Sequence, residues 1–269
     1  MTNLLQAELF KLRRNKAFRS SFWTIMLIGL GFTLLFFLDA LDILTISVDQ
    51  GFLVTRDKIE PIIPLSGLEI FKQLIGWNLY FVLFFSVLGG FFVSNDYHIG
   101  VMKTLLISGY SRSKIFFAKL IVLSIGSILL ALLFFLIPII AASIIFGLGS
   151  IPEGTTLAYM ARVFALSILH WLAFVSVVMV FAILLKESGK TITVFFGFFL
   201  IALILSLVVA ESIPIIDVLF ANSIFRQLLE STNQNMTNVQ IVQSIAIAIG
   251  TFILFSLLGN YAFQKKDVK

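Results

Sequence analysis

The chain has 269 residues, 59% of them hydrophobic and 12% charged, with a formal net charge of +5 and no cysteine. Soluble domains are about a quarter charged, so this composition excludes a soluble globular protein. The missing cysteines exclude disulfides, thiolate metal sites and thiol nucleophiles, and the surplus bases read as a topology signal rather than a nucleic-acid patch.

Residues 1–19 open with Leu5, Leu9 and Leu12 at helical spacing and Leu4 beside them, while Glu8, Lys11 and Arg14 fall on other faces. The stretch reads either as an amphipathic helix on the inner membrane surface, its bases toward anionic lipid headgroups, or as a disordered basic flank that sets orientation. The first apolar run is longer than a signal-peptide core of about 7–15 residues and lacks a small-residue exit, so it is expected to stay as a span.

A helix needs about 20 apolar residues to cross the hydrocarbon. Six stretches qualify: 20–38, 68–94, 115–146, 163–185, 191–210 and 239–263. The third is longer than a crossing requires and contains Pro138, which predicts a tilt, a projection or a kink. Ser66 and Glu69 form a capping-box pattern at the head of the second.

Of the nineteen Lys and Arg residues, fourteen fall in the N-terminal segment, the second and fourth connections and the C-terminal tail. The other three connections share five. This bias places both termini in the cytoplasm. The expected architecture is an all-α integral membrane protein: one domain over residues 1–269, six transmembrane helices, an N-terminal interfacial helix, both ends cytoplasmic, multi-pass in the plasma membrane. The first outer loop is acidic and carries Pro61 and Pro64. The last, 211–238, contains the apolar runs Ile213–Ile216 and Val218–Phe220 around Pro214. It is either a re-entrant segment or an ordinary outer loop packed on the spans.

Little in the chain points to chemistry of its own. Ser188-Gly189-Lys190-Thr191 matches the end of a phosphate-binding loop, but the required upstream glycine position is Leu184, inside a span. The match reads as coincidence, and no ATP hydrolysis by this chain is expected. His98 and His170 are the only histidines, and neither has a second ligand at metal-site spacing. No cofactor is expected. His170, beside Trp171 in the fourth span, is either a pathway residue or an imidazole bonded to a neighbouring helix. No G-x-S-x-G elbow occurs. Asp39, Glu187 and Glu211 fall at span ends, where water reaches them, and no row of charges lines the spans. That argues against an ion-coupled transporter.

The polar segment is 95–119, with a coupling loop over 95–114. Asp96 closes the second span, Gly100 permits a tight backbone geometry, and Val101–Ile107 reads as a two-turn helix. Val101, Leu105 and Ile107 are expected on one face, with Lys103 and Thr104 away from it. Ser108-Gly109 breaks this helix, Ser111 caps the next, and Arg112, Lys114 and Lys119 stand at its mouth.

This pattern resembles the permease subunits of type-2 ABC exporters. The shared residues are Asp96, Gly100, Lys103, Leu105-Leu106, Ser111-Arg112, Ile115 and Lys119, with Glu8, Lys11 and Leu12 in the first helix and Tyr261, Phe263 and Lys265-Lys266-Asp267 at the end. Val101 stands where that family commonly has threonine, and Ser108-Gly109-Tyr110 where it often has proline. The resemblance implies two paired permeases, as a homodimer or with a sister subunit, above two separate ATPase subunits. Asp96, Gly100, Val101, Lys103, Thr104, Leu105 and Arg112 would carry the coupling, helped by the N-terminal helix and the loop Lys186–Lys190. It also implies an outer-leaflet dip by the fifth-to-sixth loop and a pathway between protomers, lined by the second and fifth spans. The high Phe content and uncharged mid-membrane favour a hydrophobic or amphipathic cargo, a peptide among them. The alternatives are a membrane immunity or sensor protein that binds an antimicrobial peptide without moving it, and an intramembrane enzyme. Nucleic acid is not an expected partner.

Overall fold

The computed structural model describes residues 2–41, 43, 46–49, 52–55, 66–151, 155–205 and 220–266. These are helical apart from one hairpin and the connections. Among the described residues, five helices are long and apolar enough to cross a membrane.

Helix α1, Thr2–Arg14, ends at Asn15, whose carboxamide oxygen accepts from the amides of Ala17 and Phe18 and so caps α2, Lys16–Ala40. Beyond α2, strands β1 (Ile46–Asp49) and β2 (Phe52–Thr55) pair antiparallel, Ile46 opposite Thr55. Among the described residues this short hairpin is the one extended element in an otherwise all-helical chain.

The second predicted span divides. Helix α3, Gly67–Ile75, is capped by Ser66 Oγ, which accepts from the Glu69 amide at 3.2 Å. Gly67 and Leu68 donate to the carbonyls of Gly147 and Leu148, so the loop after the third span closes the head of α3. The chain tightens at Gly76-Trp77 before α4, Asn78–Gly89. A π-helical turn, Gly90–Ser94, and α5, Asn95–His98, continue α4 without a break. The crossing helix is therefore Asn78–His98 rather than 68–94.

Short α6, Val101–Ile107, leads to α7, Arg112–Phe146, whose 35 residues are about 52 Å long and exceed the hydrocarbon core at their ends. Helix α8, Thr156–Leu185, starts earlier than expected, so Arg162 lies inside it. There Arg162 donates to the carbonyls of Asn233 and Gln234 at 2.5 and 3.3 Å. Helix α9, Ser188–Ile204, is shorter, and the 206–210 part of the fifth predicted span lies outside the described residues, as does the 211–219 part of the last outer loop. Helices α10, Ile224–Glu230, and α11, Asn238–Lys265, complete the chain; Thr237 and Gln240 form a reciprocal capping box on α11.

Helices α7 and α8 are central: α1, α2 and α3 pack on α7, α11 runs along α8, and α4 bridges α8 and α9. Lipid tails are as apolar as side chains, so close approach rather than water exclusion holds such bundles together. Gly89 shows this, since a Cβ there would sit 2.3 Å from Val178 Cγ1. Aromatic contacts fill the centre, with Phe135 stacked on Trp171 at 5.7 Å and Phe81 against Phe134 at 5.1 Å.

Candidate functional site: a buried charge cluster at the basic end

Both chain ends, the 95–119 segment and the α8–α9 corner meet at one end of the bundle. Helix α1 buries Leu4, Glu8 and Leu12, one residue per turn, against α7. This corrects the sequence expectation, which put Glu8 on another face and Leu9 inward; Leu9 is exposed. Glu8 turns inward because it finds a cation there. Lys119, two turns into α7, is fully buried, and its Nζ donates to Glu8 Oε1 at 2.8 Å. The same ammonium donates to Asp96 Oδ2, and Lys11 Nζ donates to Asp96 Oδ1. Phe92 lies beneath both ammoniums, its ring centre 5.3 Å from Lys11 Nζ and 5.4 Å from Lys119 Nζ.

Two carboxylates and two ammoniums thus form a neutral set joining α1, α5 and α7. Neutrality matters because removing one member of a buried ionic group leaves a charge with nothing to offset its desolvation. Burial lowers the pKa of Lys11; the charge of Lys119 acts in the same direction, and Asp96 and Glu8 oppose it. Close packing reinforces the join: a Cβ at Gly126 would lie 2.8 Å from Leu12 Cδ2.

Gly100 follows α5 in the left-handed region, φ +75°, and nothing lies within 4 Å of where its Cβ would be. Glycine is required there by backbone sterics alone. Helix α6 beyond it buries Met102 among Ile115, Phe116, Met179, Ile183 and Phe263. Val101 is half-buried, and Leu105 and Leu106 pack partly against the core. Lys103 and Thr104 are exposed, as expected. Ile107 was placed with Val101 and Leu105 from the sequence; it is instead 78% exposed, and Ile99 is 57% exposed. The inward anchor is Met102, which helical spacing from Val101 passed over. The outer surface of α6 therefore presents Ile107 beside a lysine and a threonine, with Ile99 bare just before the Gly100 joint.

Arg112 serves a different element from Asp96. Its guanidinium donates to the carbonyls of Phe263, Gln264 and Lys266 at 3.1, 3.0 and 2.6 Å, capping the C-terminus of α11. Lys266 reaches Leu184 O at the end of α8, and its pKa is lowered by partial burial and then by the charge of Lys186.

The phosphate-loop look-alike has structural work. Ser188 Oγ donates to Gly90 O at 2.8 Å, taking up a carbonyl of the π turn. The Ser94 hydroxyl donates to Ala182 O at 3.1 Å and bonds the Thr191 hydroxyl at 2.8 Å. Lys190 pairs with Glu187 at 2.7 Å. A π turn inside a span often marks a functional position, and this one is pinned to the α8–α9 corner, beside a hollow of about 680 Å³ lined by Phe91, Asn95, His98 and Lys186–Gly189.

The two pathway candidates are both fully buried. Trp171 Nε1 donates to Asn78 Oδ1 at 2.6 Å, and Asn78 Nδ2 donates to Ser167 Oγ at 2.7 Å. His170 Nδ1 lies 2.8 Å from Leu166 O, and its Nε2 has no partner among the described residues. Asp39, expected to be hydrated at a span end, is buried.

A family model described as "Protein of unknown function (DUF2705)" matches residues 36–269. The match includes Asp96 and Lys119 and begins after α1. No curated protein matches the chain.

Proposed function

The chain belongs to the DUF2705 family, whose description states no activity, and we propose that it is the transmembrane subunit of a type-2 ABC exporter, driven by separate ATPase subunits that dock on α6. The observation that carries this reading is the mounting of α6. It is a short exposed helix on a glycine joint, with one neighbour, α5, bound into a buried charge cluster and the other, α7, running the length of the bundle. A push on such a helix reaches α1, the second span and the third span together. The truncated phosphate-loop motif supports the same reading, because energy must then come from a partner.

The residues of the resemblance also contact one another. From the first helix, Glu8 meets Lys119 at a separation of 111 residues, and Lys11 meets Asp96 at a separation of 85. The basic end is assigned to the cytoplasm by the positive-inside bias. Connectivity supports reading α9 as the start of a sixth crossing: α9 leaves the basic end, while α11 begins near Asn233, which Arg162 holds at the opposite end. Two such subunits form the exporter, and the cargo is hydrophobic or amphipathic.

The test is co-purification with an ATPase subunit and measurement of its stimulation. Lys103 and Thr104 are exposed, so Lys103→Glu is expected to abolish stimulation while assembly in the membrane persists. Unchanged stimulation would sink the assignment of α6 as the docking element.

A further inference from the structure

The faces that α2 and the crossing helix Asn78–His98 turn toward each other do not close at the basic end. They leave a hollow of about 620 Å³ lined by Asn15, Lys16, Ala17, Ser20 and Ser21 on one side and Val87, Phe91 and Asn95 on the other. The rim carries an ammonium, two carboxamides and two hydroxyls, and no carboxylate; the floor is apolar, with Phe91 exposed. Lys16 opens the first candidate span, so the rim lies where headgroups lie. Arg13, Arg14 and Arg19, all exposed, flank it along the chain. A topology signal needs only charge. It does not need a hollow with polar hydrogen-bonding groups above an aromatic floor.

We propose that this hollow binds one anionic phospholipid of the adjacent leaflet, its phosphate on Lys16 and Ser20 and its chains along Val87 and Phe91. The same faces of α2 and α4 continue, at i+3 and i+4 steps, to a second hollow of about 360 Å³ among Ile28, Leu83 and Phe84, which leaves the seam apolar below the headgroup. Asn15 Nδ2 donates to Phe91 O at 3.3 Å across the top, and Asn95 precedes Asp96. A lipid seated here braces the α1–α2 corner against α5, next to the charge cluster. The proposal requires only that α2 and α4 lie in a bilayer, not that the protein is an exporter.

The test titrates the delipidated full-length protein with phosphatidylglycerol or phosphatidylcholine and counts bound lipid by native mass spectrometry. Phosphatidylglycerol is expected to bind at least about fivefold more tightly, the increment of roughly one surface base. Lys16→Gln should remove that preference. Ser20→Trp, which fills the hollow without changing charge, should remove binding of phosphatidylglycerol, and Lys103→Gln, at the same end but outside the hollow, should leave it intact. Equal binding of the two lipids overturns the proposal. So does an equal loss from Lys103→Gln, which would mean diffuse attraction, or displacement by free glycerol phosphate, which would mean a soluble anion site.

Discussion

Lys119 is the residue whose environment is least forgiving. It is a fully buried ammonium with two carboxylate partners, and Lys11 completes the balance. Lys119→Met leaves two buried carboxylates against one cation and should cost about 3–5 kcal/mol, the range for breaking a buried ionic group. Adding Glu8→Gln restores one acid to one base, so the double variant should recover much of that loss in thermal unfolding. An additive double loss would contradict the pairing. Lys11 gives a pH test. Its pKa is lowered from 10.5, chiefly by burial, so its amine deprotonates before that of an ordinary lysine as pH rises. Acylation of Lys11 should begin at lower pH than in the unfolded chain, and Asp96→Asn should move it lower still by removing an opposing carboxylate. Between the lowered pKa and 10.5 the unfolded chain binds more protons, so stability should rise with pH across that window.

At the scale of single elements, the α8–α9 corner separates a structural role from a nucleotide role. Ser188→Ala removes the hydroxyl donor from the Gly90 carbonyl, which keeps the Asn95 amide of the π turn, and should cost about 0.5–1.5 kcal/mol, the net worth of one hydrogen bond. Lys190→Ala removes only an exposed pair with Glu187 and should leave the melting temperature unchanged. A phosphate-binding loop would predict the reverse importance. Helix α6 is set by its joint and its anchor. Gly100→Ala meets no neighbouring atom, so its cost is the left-handed backbone alone, about 1–2 kcal/mol, and it should re-pose α6 without unfolding the bundle.

For the whole molecule, the arrangement of ends is testable because the chain has no cysteine. Ile107→Cys and Asn233→Cys sit at opposite ends of the bundle. With both termini inside, a membrane-impermeant maleimide should label Asn233→Cys in intact cells and Ile107→Cys only after permeabilisation. Met102→Cys should resist labelling in either case, since its side chain is buried.

Hydropathy and charge, read without coordinates, established a polytopic helical membrane protein and picked out 95–119 as its polar segment. Apolar length and charge bias are local quantities, summed along the chain, so they survive without coordinates. Gly100 and the breaks around α6 were legible for the same reason. The partners were not. Glu8 looked outward because a carboxylate among leucines is normally solvated, and only Lys119, 111 residues away, makes its burial favourable. Met102 displaced Ile107 as the anchor because α5 and the Gly100 joint set the rotation of α6, which spacing within seven residues does not encode. Ser188 and Thr191 could be dismissed as a nucleotide motif from sequence, but their bonds to the π turn depend on how α4 meets α8 and α9. Tertiary packing decided those pairings because a buried charge or carbonyl is stable only where a distant segment delivers its partner.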